Sequence, residues 1–400
     1  MAKGVETAEA AGVASAGNTG RSDGARHICV VGLRGIPDVI GGIEAHCQQL
    51  YPRLVKLSSG TRVTVVIRRG YTQSRLFDYE GIQVRTIWSP HMWGVDTVIH
   101  SFLSVLYARL FLKADVLHLH GIGPGFFTPL ARLLGIPTVV THHARDYLRP
   151  KWSLRGQTFL RLGERFTARS ANAVVCVSEA LHREFVHAFP EAGGRTRVIP
   201  NTSALTRPVP ADIAPFLARL GLSPNNYILA VGRLDAAKSF DDLIAAFSRA
   251  RPPLKLVIAG SEIGNEAHAE QLWKNRSDDI IFTGFQSGEM LASLYGGAAL
   301  FVHPSRLEGY GLVIAEALML NLPLIVSDIP PHFEFDLPQQ CYFPAGDVDA
   351  LAGKLGGGNY RQYCAPAASA VQRRQDWNDI AARHLELYRE VAEPRSVRGS

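Results

Sequence analysis

The feature that most restricts this chain is a recurring one: short, continuous apolar runs separated by stretches of helical periodicity. Runs at residues 27–32, 62–67, 83–87, 116–120, 138–141, 173–177 and 198–200 fill the first half. Runs at 227–231, 255–259, 280–283, 300–303, 324–327 and 341–343 fill the second. A strand wet on one face alternates apolar and polar residues, whereas a strand apolar throughout is buried on both faces, as parallel strands covered by helices are. The repetition of strand and helix therefore predicts an α/β fold of doubly wound parallel sheets. Two series predict two sheets. The break is at residues 202–224, which carry Pro208, Pro210, Pro215 and Pro224 and no strand-like run.

These signals divide the chain. Residues 1–25 are small and polar without an apolar core, so they read as a disordered tail and not a secretory signal. Residues 26–202 form a first Rossmann-like domain. Residues 203–375 form a second, opening with a linker near 203–210. In the 376–400 segment, Trp377, Ile380, Ala381, Leu385, Leu387 and Tyr388 recur at near-helical spacing and predict an amphipathic C-terminal helix and tail. The longest apolar helical stretch, 101–112, is interrupted by Arg109 and falls far short of the ~20 residues a membrane span needs. The expectation is a cytoplasmic protein, at most peripheral at the inner face of a membrane. The net charge of +6 suits phosphate-bearing small molecules, anionic membranes or nucleic acid without choosing among them. Cys29, Cys47, Cys176, Cys341 and Cys364 are scattered and odd in number, which argues for reduced thiols over a disulfide frame or metal site.

Ligands of open parallel sheets bind at the carboxyl ends of the strands, and four motifs lie there. Gly41-Gly42-Ile43-Glu44 follows the turn after the first run; its glycines allow backbone N–H groups to approach a phosphate, and a plain structural turn reads equally well. Arg233 and Lys238 follow the 227–231 run, close enough for both to reach one diphosphate; solvated surface charges are the alternative. The segment from His303 to Leu318 places Glu308 in a loop, Gly309, Tyr310, Gly311 and Leu312 at a helix start, and Glu316 inside an otherwise apolar helix, where a carboxylate needs hydrogen-bond donors. Glu308 alone could be a helix N-terminal stabiliser. Ile199-Pro200-Asn201 precedes the linker.

Together these motifs resemble those of the retaining GT-B glycosyltransferases, in particular family GT4. Glu308 and Glu316 match the E-x7-E motif, Gly232-Arg233 with Lys238 the GR-x4-K site, and residues 41–44 and 199–201 the family's GG-x-E and IPN segments, in order over nearly all of 26–391. The resemblance implies the GT-B fold, two Rossmann-like domains facing an interdomain cleft, with the C-terminal helix crossing back onto the first domain. It implies that Arg233, Lys238 and the Gly41-Gly42 turn hold the donor diphosphate. Glu316 would bind the ribose, and Glu308 with the amides of Gly309, Tyr310, Gly311 and Leu312 would grip the transferred sugar. His143 would lie near the anomeric region. His142 competes, since only one of two adjacent residues in an extended segment points into the cleft; analogy favours His143. The loops at 261–265 and 284–286 would read the base. Departures from the family pattern are Gly260-Ser261-Glu262-Ile263-Gly264, Ala144 and Thr202.

The resemblance implies transfer of a hexose-type sugar from a nucleotide-diphosphate sugar to a saccharide or polyprenyl-linked acceptor, of the bacterial surface-polysaccharide type. No cofactor and no metal are expected. The single DxD string, Asp347-Val348-Asp349, precedes a helical stretch and reads as a helix N-cap, and Arg233 and Lys238 supply the charge a metal would. Residues 145–169 carry Arg145, Arg149, Lys151, Arg155, Arg161, Arg165 and Arg169 with Trp152, Phe159 and Phe166 interleaved. That surface suits an anionic lipid-linked saccharide or anionic membrane; a solvated helix face over buried aromatics is the other reading. No nucleic-acid-binding module is recognisable, so nucleic acid is not an expected partner. A GT-B epimerase or phosphorylase, and a non-catalytic sugar-nucleotide binder, are the alternative functions.

Overall fold

The computed structural model describes residues 26–72, 74–90, 92, 94–203, 205, 209–262, 266–364 and 376–393. The expected tail at 1–25, part of the linker, and residues 263–265 of one base loop lie outside the described residues.

The first sheet has eight strands: β1 (Arg26–Val31), β2 (Thr61–Arg68), β3 (Leu76–Tyr79), β4 (Ile82–Ile87), β5 (Val116–His120), β6 (Thr138–His142), β7 (Ala173–Cys176) and β8 (Thr196–Val198). Their spatial order is β3-β4-β2-β1-β5-β6-β7-β8. The second sheet has six: β9 (Tyr227–Val231), β10 (Lys255–Ala259), β11 (Ile280–Gly284), β12 (Leu300–His303), β13 (Leu324–Ser327) and β14 (Tyr342–Phe343), in the order β11-β10-β9-β12-β13-β14. Every pairing is parallel except β3 with β4. Sequence reading missed β3 because its Leu-Phe-Asp-Tyr alternates exposed and half-buried residues at a sheet edge, the opposite of the pattern that marks the others.

The apolar runs are apolar because both faces are covered. In β1, Ile28 and Val30 pack under the helices Gly42–Leu57 and Trp377–Ala392, while Cys29 and Val31 face the opposite core. The second sheet has its own core, which Leu205 and Leu217 join from the sequence after the first sheet ends. The helix Trp377–Ala392 returns to the first sheet, burying Trp377, Ile380, Ala381, Leu385, Leu387 and Tyr388 there. Each large apolar side chain so buried contributes roughly 1.5–3 kcal/mol, and this anchors the helix far from its neighbours in sequence. Trp377 Nε1 donates to the Ser203 carbonyl at 2.8 Å, tying the helix to the start of the linker.

The 101–112 stretch lies largely in the helix Val95–Leu110, and no helix among the described residues is long and apolar enough to cross a membrane. Cys29, Cys47, Cys176 and Cys341 are buried free thiols and Cys364 is an exposed one.

Candidate active site

In each sheet the chain winds outward in two directions from one strand: β1 lies between β2 and β5, and β9 between β10 and β12. The crevice of such a sheet opens where the direction switches, beyond the carboxyl ends of the strands. Here the two crevices face each other across a cleft of about 880 Å³. Gly32 and His120 border it from the first sheet, Gly232 and Gly260 from the second. Gly41, Gly42, His143, Arg233, Lys238, Glu308, Gly309, Tyr310, Gly311, Leu312 and Glu316 all line this cleft. Residues separated by up to 275 positions (316 less 41) are thus brought to one place.

The second-domain wall is charged and committed. Lys238 Nζ donates to Glu308 Oε1, and His303 Nε2 meets the same oxygen at 2.8 Å. Burial alone would raise the Glu308 carboxyl, but Lys238 and His303 outweigh it and hold the group well below the usual carboxylate range. Gly311, left-handed at φ 104°, starts the helix Leu312–Met319, and no side chain caps that start. Glu316, one turn further on, accepts from Tyr295 Oη at 2.7 Å and is buried apart from its cleft edge. A carboxylate inside an apolar helix needs a donor, and the tyrosine is one. The Tyr310 ring packs against Phe335 at 5.1 Å.

His143 and His142 part company. His142 is fully buried, and its Nε2 donates to Glu164 Oε1 at 2.9 Å, away from the cleft. His143 follows β6 and lines the cleft, with Nε2 turned inward to His120 Nδ1 at 2.9 Å. Burial, then the neighbouring His142 and His384, push the His143 imidazole down to about 3, so it is neutral at physiological pH. Directly across the cleft, a Cβ built on Gly309 would lie 1.6 Å from the His143 carbonyl oxygen. Only glycine allows the two domains to meet there.

Several cleft groups were not singled out from sequence. Arg149 donates to Asp235 at 3.2 Å and to Asp146 at 2.9 Å, and Asp235 also pairs with Arg233 at 3.2 Å. Arg149 thus leaves the basic surface it was grouped with and joins the cleft, as does Lys151. Burial and then Arg149 push the Arg233 guanidinium down; burial, then Arg233 and Arg149, push the Lys151 ammonium down to about 8. Arg149, held by Asp146 and Asp235, is instead pushed up, and the two depressed cations beside it, Arg233 and Lys151, suit an anion. No sequence spacing links residues 149–151 to 233; a run of cations after a cleft-facing histidine was the only signal.

Other motifs resolve into structural roles. Glu44 pairs with Arg34 through both oxygens, at 2.9 and 3.1 Å, and so shapes the Gly41-Gly42 turn. The Asn201 side chain holds buried His46 at 2.6 Å. Asp347 caps the helix Val348–Gly356 by accepting from Ala350 N, and Asp349 pairs with Arg249. Of the basic stretch, Arg155, Arg161, Arg165 and Arg169 are exposed, while Arg145 pairs with Glu184 at 3.4 Å. Ser261, Phe285 and Gln286 reach the cleft beyond Gly260.

The family model described as Glycosyltransferase Family 4 matches residues 40–205, and that described as Glycosyl transferases group 1 matches 218–355. The chain is a glycosyltransferase built of these two domains. Its fold is GT-B: a sucrose-phosphate synthase from Thermosynechococcus elongatus superposes with a TM-score of 0.72, at 22% identity over 92% of this chain and 99% of that one. Among curated relatives, an alpha-maltose-1-phosphate synthase of Mycolicibacterium smegmatis is 28% identical over 70% of this chain and 80% of its own. A GDP-mannose:cellobiosyl-diphosphopolyprenol alpha-mannosyltransferase of Xanthomonas oryzae is 28% identical over 70% and 75%. The enzyme's matched segments divide between the two sheets, so each wall of the cleft belongs to one of them.

Proposed function

We propose that this glycosyltransferase moves a hexose-type sugar from a nucleoside diphosphate sugar to a saccharide or lipid-linked saccharide, with retention of configuration and without a metal. The observation that carries the proposal is one wall of one cleft. There Arg233, Lys238 and the uncapped start of the helix Leu312–Met319 converge with two carboxylates, Glu308 and Glu316, opposite His143. A diphosphate against Arg233, Lys238, the Gly41-Gly42 turn and the helix N-terminus would meet two fixed cations and a helix dipole, which stabilise charge as it grows on the leaving phosphate. Glu316 suits the ribose hydroxyls, and Phe285 with Ser261 and Gln286 the base. Glu308 and the Gly309–Leu312 amides suit the transferred sugar. Lys238 and His303 both occupy Glu308 Oε1. A carboxylate so engaged stabilises positive charge at the anomeric carbon better than it attacks it, which favours reaction on one face over a covalent intermediate.

The charge for phosphate departure comes from side chains, and both aspartates of the DxD string have other partners outside the cleft. The first-domain side of the cleft, with Trp152, Phe159, Leu160 and Arg155, suits the acceptor. Exposed Leu154 and Leu162 beside Arg155, Arg161 and Arg165 suit an anionic lipid carrier or membrane surface. The Xanthomonas relative is named for such a diphosphopolyprenol acceptor.

The test is thermal stabilisation by UDP, GDP, dTDP and ADP, with and without EDTA. A ligand at 100 times its dissociation constant adds about 2.7 kcal/mol, several degrees in Tm. One diphosphate stabilising the protein equally in EDTA supports the reading and names the base. Silence from all four removes the nucleotide-sugar donor, and a response abolished by EDTA removes metal independence. Retention is read from the anomeric configuration of the product by NMR.

A further inference from the structure

His143 is the cleft end of a buried chain of hydrogen bonds that runs through the first domain to the C-terminal helix. His143 Nε2 meets His120 Nδ1 at 2.9 Å, and His120 Nε2 meets Tyr51 Oη at 2.5 Å. Tyr51 Oη meets His118 Nδ1 at 2.9 Å, and Tyr388 Oη meets the same nitrogen at 2.6 Å. His118 Nε2 ends the chain at Thr141 Oγ1, 2.7 Å away. Four elements supply it: β5 carries His118 and His120 two residues apart on one face, the helix Gly42–Leu57 carries Tyr51, β6 carries Thr141, and the helix Trp377–Ala392 carries Tyr388. Behind His143, all these groups are buried. His46 and His384 pack against the chain edge-on or tilted, with ring centroids 5.2 Å from His143 and 5.8 Å from His118.

A neutral imidazole has one N–H and one lone pair, so the first assignment in such a chain fixes the others. Two arrangements are self-consistent. In one, protons point inward: His143 Nε2–H donates to His120, His120 Nε2–H to Tyr51, and His118 Nε2–H to Thr141. The Thr141 hydroxyl is then an acceptor whose own proton has no other partner among the described residues. In the other, Thr141 Oγ1–H donates to His118 Nε2, His118 Nδ1–H donates to a tyrosine oxygen, Tyr51 Oη–H donates to His120 Nε2, and His120 Nδ1–H donates to His143 Nε2. With His118 Nδ1–H given to Tyr388 Oη and the Tyr388 hydroxyl turned to Tyr51 Oη, this second arrangement leaves no donor behind His143 unused, and buried donors are rarely left unused. It puts the remaining His143 proton on Nδ1, the ring nitrogen that no described residue holds.

We propose that His120 is a positioning residue for His143, and that the chain Thr141–His118–Tyr51–His120 fixes His143 as the Nδ1–H tautomer, so that it presents a hydrogen-bond donor to an oxygen of the bound sugar nucleotide. The sugar nucleotide in this statement rests on the function proposed above; the tautomer does not. The chain also makes the C-terminal helix part of the site, through Tyr388.

Two measurements test it. The first needs no substrate: the ¹⁵N shifts and couplings of the histidine rings in the whole protein at pH 7.5. His143, His120 and His118 are each expected as the Nδ1–H tautomer. An Nε2–H proton on His143 overturns the proposal, whatever reaction the enzyme performs. The second compares His120→Leu with His120→Asn, whose amide keeps a donor near the Nδ1 position. The leucine variant is expected to lose kcat about tenfold or more with little change in donor affinity or in KM, and the asparagine variant to recover much of it. Equal losses in the two variants, or a leucine variant as active as the wild type, overturn the positioning role. If the tautomers stand and no nucleoside diphosphate binds, the proposed function has failed and the chain has not.

Discussion

Replacing Gly309 by alanine adds one methyl group at the point where the two domains touch. Its Cβ would lie 1.6 Å from the His143 carbonyl oxygen and 2.8 Å from the carbonyl carbon, both backbone atoms. Ordinary contact is about 3.5 Å, so relief requires a displacement of about 2 Å that no rotamer change can provide. The contact lies between the sheets and in neither core, so the chain can yield by opening the cleft without unmaking a domain. That movement draws His143 away from Glu308 and the donor sugar. A misplacement of 1 Å costs about 100-fold in rate, so we expect kcat to fall at least that far while Tm changes by no more than a few degrees. The assay is initial-rate kinetics with the donor named by thermal shift, beside circular dichroism melting of both proteins. Gly309→Ala within threefold of wild-type kcat would refute the close approach and the closed arrangement that depends on it. A Tm loss of 10 °C or more would refute the claim that the contact lies outside both cores.

Four further outcomes follow from the site. Glu316→Gln keeps an acceptor for Tyr295 but loses the charged ribose contact, so diphosphate affinity should drop about tenfold with Tm in the absence of ligand nearly unchanged; isothermal calorimetry reads both the loss and its absence. Asp347→Ala removes a helix cap and should cost about 1 kcal/mol of stability in denaturant titration with no change in kcat, whereas a lost rate would restore the metal reading of the DxD string. Lys151, pushed down to about 8, binds an anion best when protonated, so diphosphate affinity should weaken as pH rises from 7 to 9, and Lys151→Met should flatten that dependence. Finally, burial holds His46, His118, His120, His143 and His384 neutral by lowering their proton affinity. The unfolded chain takes up protons as pH falls below about 6.5 while the native one does not, so stability is lost toward acid. From pH 7.5 to 5.5 each such group removes up to about 1.4 kcal/mol, about 7 kcal/mol for the five, comparable with a whole domain's stability. Equal denaturation midpoints at the two pH values would count against five neutral histidines.

The strand pattern was legible because burial on both faces leaves a mark in one dimension: Val116–His120 and Tyr227–Val231 read directly as strands. The edge strand Leu76–Tyr79 carries no such mark, since half of it faces water. The charged wall was legible for a different reason. Glu308, Gly311 and Glu316 share one loop-and-helix unit, and Arg233 and Lys238 share another, so local spacing preserved their relation. Arg149 and Asp235 pair across 86 residues and two domains, and no local pattern records such a meeting. His120 falls between the cases. Two histidines two apart put polar groups on one face of an otherwise apolar strand, a mark that the reading of 116–120 as an apolar run passed over, and Tyr51 and Tyr388 show what the polarity serves.

Several departures from apolar patterning in the first domain converge on this one place. A buried polar group costs stability unless it is hydrogen-bonded, and a chain of them is acceptable only when nearly every member finds a partner. Tyr51, His118, His120 and Thr141 could each be apolar in a fold that asked only for a core. Their presence beneath His143, and the return of the C-terminal helix to add Tyr388, place the cost where the geometry of one cleft-facing ring is set. Gly309 closes the second domain onto the backbone of that same residue. One sheet thus sets the protonation of His143 and the other sets its distance from Glu308, and a change in either domain acts on the same step.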